Sequence, residues 1–159
     1  MTAEEVKDVL GLVPHPREGG WFVRTWEASQ RIEGLDRLTG TAIYYLLEPD
    51  TFSEMHRLKS DEVFHLYAGD AVEQMQLFPD GTGKRVVIGM DLRAGQRPQV
   101  VVERGVWQGA RLVEGGSWAL MGCTVCPGFA FEDYEDGGAE ELVRGWPEFE
   151  GMIRGLTRK

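Results

Sequence analysis

Apolar and polar positions alternate along most of this chain in short runs, and glycine-rich turns separate the runs. The first is Trp21–Trp26, followed by a polar segment (27–40) and then Thr41–Leu47. Further runs cover residues 71–78, 84–92, 98–102, 106–113 and 117–126, with Pro79-Asp80-Gly81-Thr82-Gly83 and Glu114-Gly115-Gly116 as turns. Strands so closely spaced predict an all-β antiparallel sandwich or barrel, its β core at about 20–131. The ends read differently. Thr2 and Glu5 form a capping box for a helix over 2–10, whose Val6, Val9 and Leu10 give it an apolar stripe before Gly11 stops it. A helical turn or two is expected at 138–144. Pro147 is placed to open a last helix over 147–155, with Phe149, Met152 and Ile153 on its apolar side. These helices should pack outside the sheets.

The stretch between Met55 and Asp70 departs from plain alternation because it carries ionisable groups at apolar positions. His56 and Leu58 share one strand face, Lys59-Ser60-Asp61 is a polar turn, and Glu62, Phe64 and Leu66 share a face of the next strand. Read as a hairpin, this stretch brings an imidazole and a carboxylate together among apolar neighbours. Burying such a pair costs free energy that packing alone does not demand, which makes it a site candidate; a buried structural contact is the alternative. His65 falls on the opposite face with Val63 and Tyr67 and reads as a surface or interface residue. His15, between two prolines in the loop 13–20, reads as a loop residue rather than a ligand.

The 159 residues suit one domain, and a formal charge of −9 offers no basic stripe for phosphates, so no nucleic-acid partner is expected. No apolar run is long enough to span a membrane, and the acidic start Met1-Thr2-Ala3-Glu4-Glu5 is unlike a signal peptide, so the expectation is a cytoplasmic protein. Cys123 and Cys126 lack the second pair or histidines of a zinc knuckle and read as two buried or half-buried free thiols.

Several of these stretches together resemble the cupin superfamily. His56, Glu62 and Gly69 fall at the offsets of its first motif, with Leu58 in place of the second histidine. Gly105 and Gln108 fall in its second motif, with the glutamine where a histidine would stand. The fuller pattern is H-P-x-E-G-G-W-F-x-R-T-W, T-A-I-Y-Y-L-L, H-R-L-K-S-D-E-V-F-H-L-Y-A-G-D, G-V-W-Q and G-C-T-V-C-P-G-F. It is similar to one cupin family of unknown function, described only as predicted sugar epimerases. The resemblance covers about residues 10–157 and implies a double-stranded β-helix (jelly roll) with short peripheral helices, usually paired as a homodimer.

The resemblance also suggests roles. Metal-binding cupins use three histidines and a glutamate. Here His56 and Glu62 remain, helped only by the neutral Gln108, so no cofactor is expected and a divalent metal on His56, Glu62 and Gln108 would be held loosely. Cupin-fold sugar epimerases work without metal, with a histidine base oriented by a carboxylate. That reading makes His56 the general base, Glu62 its orienter and Gln108 a hydrogen-bonding group toward a sugar or nucleotide-sugar. Tyr44 and Tyr45 alternate on a neighbouring strand, so one of them, Tyr44 or Tyr45, is the candidate proton donor, and Arg24, Arg57 and Lys59 are candidate cations for substrate. A non-catalytic module that binds or senses a small polar ligand stays open beside it, and a tyrosine facing the pocket would favour the enzyme.

Overall fold

The computed structural model describes residues 1–158. Among these residues eleven strands form two antiparallel sheets. They are β1 (Val13–Pro14), β2 (Trp21–Glu27), β3 (Thr41–Leu47), β4 (Phe52–Arg57), β5 (Asp61–Gly69), β6 (Val72–Leu77), β7 (Gly83–Ile88), β8 (Gln99–Val102), β9 (Trp107–Leu112), β10 (Ala119–Cys126) and β11 (Glu135–Asp136). One sheet runs β1-β2-β3-β10-β5-β8 and the other β11-β4-β9-β6-β7, the jelly roll expected. Alternation explains the core. Tyr45, Leu47, Phe64, Met121 and Cys123 from the first sheet meet Val72, Ile88, Ala110 and Leu112 from the second.

The outer faces are covered by the helices. α1 (Ala3–Leu10) has its capping box, Thr2 Oγ1 accepting from Glu5 N–H at 3.2 Å and Glu5 Oε2 accepting from Thr2 N–H at 2.7 Å. Gly11 ends it at φ +66°. Val6 and Leu12 then pack on Leu46 outside the first sheet. α2 (Ala139–Gly145) and α3 (Glu150–Gly155) bring Leu142, Ile153 and Leu156 against Met55, Met75, Leu77 and Trp107 outside the second. The last helix begins as a 3-10 turn at Pro147–Phe149 rather than as α-helix. The expected strand over 84–92 stops at Ile88: Asp91 accepts a hydrogen bond from Ala94 N–H, folding the next residues into a loop that exposes Met90 and Leu92.

Two expectations are corrected. β4 and β5 are not a hairpin: β4 pairs with β9 and β11, whereas β5 pairs with β10 and β8. The turn expected at Lys59-Ser60-Asp61 falls one residue earlier, at 58–60, and crosses from one sheet to the other, so His56 and Glu62 approach from opposite layers. Cys123 is buried but Cys126 is exposed, because the strand ends there and three residues of alternation turn it outward.

Candidate functional site

One end of the sandwich stays open as a cavity of about 430 Å³, and the reason lies in the side chains aimed into it. β2 contributes Phe22 and Arg24, β3 Thr41 and Ile43, and β10 Cys123 and Val125. His56 comes from β4 and Glu62 from β5, with Leu58 between them. The segment after β10 folds back over the mouth, adding Phe129, Ala130, Phe131 and Glu132. It is pinned by Phe129 N–H donating to Thr41 Oγ1 at 3.0 Å and by Arg37 gripping Asp133 through two hydrogen bonds of 2.7 Å.

The remaining wall is the loop between β1 and β2, which carries His15 and Glu18. Gly19 and Gly20 follow at φ +101° and +71°, a left-handed pair that turns the chain sharply into β2. A side chain on Gly20 would also meet Leu46 O at 2.8 Å. Glu18 accepts a 2.5 Å hydrogen bond from Ser53 Oγ, and Gly19 O accepts one of 2.6 Å from Tyr45 Oη. His15 was expected to be a plain loop residue. Instead it lines the cavity, held by Phe22 (ring centroids 4.7 Å apart) and Phe131 (6.2 Å).

His56 is 1% exposed and stacks on Tyr134, with ring centroids 4.9 Å apart and planes 13° apart. Its Nδ1 lies 2.6 Å from Glu54 O. A carbonyl oxygen can only accept, so Nδ1 carries the proton and Nε2 carries the lone pair. Among the described residues Nε2 has no hydrogen-bond partner.

Glu62 does not orient His56 as expected; no hydrogen bond or ion pair joins them among the described residues. They stand on opposing sheets, and the backbone carbonyl of Glu54 takes the orienting role. Glu62 Oε2 instead accepts from Gln108 Nε2 at 2.7 Å. Burial first, and the Glu18 charge second, push the Glu62 carboxyl up to about 7, against the pull of His56 and of the Gln108 hydrogen bond. Burial and neighbouring Glu62 raise the Cys123 thiol well above its usual range, which makes it inert.

The other sequence candidates divide. Arg24 lines the cavity and pairs with Glu27 at 3.0 Å. Gln108 is 2% exposed and sits behind Glu62 rather than in the cavity lining. Tyr44 points to the opposite side of β3, where it meets the Tyr67 ring at 6.0 Å and packs outside the first sheet near α1. Tyr45 takes the inward position, but its hydroxyl is consumed by Gly19 O. Lys59 lies outside, in a shallow groove with Arg57, Arg104 and Glu135. His65 stacks on Tyr67 on the outer face, away from the cavity, at a centroid distance of 6.3 Å.

The cupin fold raises the question of a resident metal, and these residues do not fit one. Leu58 occupies a ligand position, and the Gln108 amide donates into Glu62 rather than offering its oxygen to the cavity. Among the described residues no three His, Cys, Asp or Glu side chains converge as a metal set.

Residues 4–136 match the sequence family described as Cupin superfamily (DUF985). An uncharacterized protein of Saccharomyces cerevisiae, YML079W, is 30% identical over 139 residues, covering 77% of this chain and 69% of the yeast protein. Two solved structures superpose over nearly the full length of both chains. A hypothetical protein from Leishmania major has a TM-score of 0.93 and 29% identity, covering 100% of each chain. Protein SO0799 from Shewanella oneidensis has a TM-score of 0.92 and 30% identity, covering 99% of this chain and 98% of its own. Oxalate decarboxylase of Bacillus subtilis shares the fold at a TM-score of 0.58, with 12% identity over 92% of this chain and 37% of that one. By sequence match and by fold, the chain belongs to the cupin superfamily, in the family DUF985.

Proposed function

We propose that the cavity takes a small neutral carbonyl compound of the sugar class, and that His56 removes a proton from the carbon beside the carbonyl. This is the chemistry of a sugar epimerase or isomerase. The observation that carries it is the state of His56: a ring locked as Nδ1–H by Glu54 O, stacked on Tyr134, with the Nε2 lone pair left unpartnered at the cavity. A base needs that tautomer and that fixed orientation. The size, about 430 Å³, suits a monosaccharide, and Phe22, Phe129 and Phe131 offer apolar faces for its C–H surfaces. Among the described residues the lining carries Glu18 and Glu62, with Glu132 paired to Arg37 at 3.2 Å, against one cation, Arg24, itself paired with Glu27. That balance favours a neutral sugar over a nucleotide-sugar, whose diphosphate would meet net negative charge.

A carboxyl poised at about 7 is protonated in part at neutral pH, so Glu62 is the group to return a proton. The homodimer and the cytoplasmic setting belong to the same proposal, the first because β2 leaves Trp26 about half exposed near the edge of its sheet. A non-catalytic binding module is the second reading, favoured by one observation: among the described residues no tyrosine lines the cavity to relay a proton. The test is incubation of the protein with D-fructose, D-xylulose and D-psicose in deuterated water. Deuterium appearing beside the carbonyl supports the enzyme. A melting shift with a ketose but no deuterium supports the binding module, and neither effect removes the sugar class.

A further inference from the structure

The two histidines of the cavity are locked in opposite tautomers. His15 Nδ1 accepts from two backbone N–H groups, Glu18 N at 2.9 Å and Arg17 N at 3.2 Å. A nitrogen that accepts two hydrogen bonds carries no proton, so in neutral His15 the proton is on Nε2. His56 is the reverse, Nδ1–H against Glu54 O with Nε2 bare. Among the described residues His15 Nε2–H has no hydrogen-bond acceptor: Glu18 Oε2 stands 3.8 Å away, too far for a hydrogen bond, and Glu18 accepts from Ser53 through its other oxygen. Among the described residues, the cavity thus contains one fixed donor without an acceptor and one fixed acceptor without a donor.

We propose that His15 is a catalytic hydrogen-bond donor, presenting Nε2–H to the substrate's carbonyl oxygen while His56 Nε2 takes the adjacent carbon-bound proton. This inference rests on the carbonyl-compound reading above and deepens it by naming the electrophile. In the step, the C–H electron pair becomes the C=C bond of an enolate, the C=O π pair moves to oxygen, and the proton moves to His56. The oxygen's negative charge is met by His15 Nε2–H. Glu62 returns a proton to carbon and restores the carbonyl, and solvent takes the proton from His56 and gives one back to Glu62.

Keeping His15 neutral is essential, because protonation would require Nδ1 to give up both backbone donors. The groups facing the ring act on it unequally. Burial holds the imidazole below its ordinary value and His56 and Arg17 add to this, while Glu18 and Glu54 oppose it. A neutral imidazole donor supports an enolate without quenching it by full proton transfer. The donor chemistry also selects the ligand class. A polyol without a carbonyl could occupy the space, but only a carbonyl oxygen that becomes negative gains strongly from a fixed N–H beside it.

The variant that separates roles is His15→Asn. Asn Oδ1 lies as many bonds from Cα as Nδ1 does, so it keeps accepting from the Arg17 and Glu18 amides in an Asx turn while the Nε2–H is lost. The probe is glycolohydroxamate, a planar mimic of an enediolate. Nitrogen-15 NMR of histidine-labelled wild type should show His15 as the Nε2–H tautomer, with its Nε2 proton moving downfield when the mimic is added. His15→Asn should bind the mimic at least tenfold more weakly while melting within a few degrees of wild type. An Nδ1–H or doubly protonated His15 at pH 7, no binding of the mimic, or equal affinity in both proteins would each overturn the inference. Should His15→Asn fail to fold, the wild-type tautomer and its downfield shift decide alone. Binding of the mimic without deuterium exchange into any ketose would leave His15 as a donor and remove the enzyme reading, so the two failures stay distinct.

Discussion

Glu62→Gln is the substitution whose effect can be worked from the structure before any substrate is known. The carboxyl is buried and displaced from 4.5 to about 7, chiefly by burial and then by the Glu18 charge. Between these values the folded protein holds a proton that the unfolded chain releases, so stability falls as pH rises. At about 1.4 kcal/mol per tenfold change in proton affinity, the loss is about 3 kcal/mol. It is absent below pH 4.5 and nearly complete above about pH 8. Glutamine keeps an oxygen to accept from Gln108 Nε2 and carries no charge to bury. Urea unfolding of both proteins at pH 5, 6, 7 and 8 reads the difference directly. His15, whose depressed value gives stability that grows as pH rises toward 6.5, contributes equally to both and largely cancels. The variant should gain on wild type by about 2–3 kcal/mol between pH 5 and pH 8. Parallel stabilities across that range, or a variant several kcal/mol weaker than wild type at pH 8, would refute a buried carboxyl held above its ordinary value and restore a Glu62–His56 ion pair.

Three further outcomes follow from the same geometry. Elemental analysis of protein purified without added ions should find well under one equivalent of any transition metal, because Leu58 and Gln108 leave too few donors; stoichiometric metal lost in His56→Ala would contradict this. Light scattering should give a homodimer, since β2 lies near an open sheet edge with Trp26 exposed, and a monomer at working concentration would count against it. Gly20→Ala should cost about 1–3 kcal/mol, from a left-handed φ of +71° and a Cβ 2.8 Å from Leu46 O, and a change under about 0.5 kcal/mol would mean the loop gives way easily.

Much of the scaffold was legible because strand alternation is a two-residue code that each run states for itself. Thr41–Leu47 is a strand at its expected bounds, and the capping box of α1 is formed as Thr2 and Glu5 implied. What alternation leaves open is which face is inside. The pair Tyr44 and Tyr45 differ by one position, and only the packing of β3 between β2 and β10 puts Tyr45 inward and Tyr44 outward. A three-residue polar turn after His56 fits a hairpin and a corner between sheets equally well, so the relation of His56 to Glu62 was beyond local pattern. His15 and Glu18 lie in a loop with no period to read. Their signal was compositional: three ionisable side chains, His15, Arg17 and Glu18, in the four residues before Gly19-Gly20, in a stretch that also belongs to the family pattern.

His56→Asn tests whether His56 Nε2 acts as a base at this cavity. Asn Nδ2 stands where Nδ1 stands and donates to Glu54 O in its place, so the local hydrogen bond survives while the Nε2 lone pair is lost together with the ring that stacks on Tyr134. The measurement is the rate at which deuterium enters the carbon beside the carbonyl of a bound ketose in deuterated water, for wild type and variant, with melting temperatures alongside. Wild type should exchange, and the variant should exchange about 10²–10⁴ more slowly while still unfolding cooperatively, its melting temperature lowered only by the lost ring stacking on Tyr134. Equal exchange by the two folded proteins would contradict the base assignment.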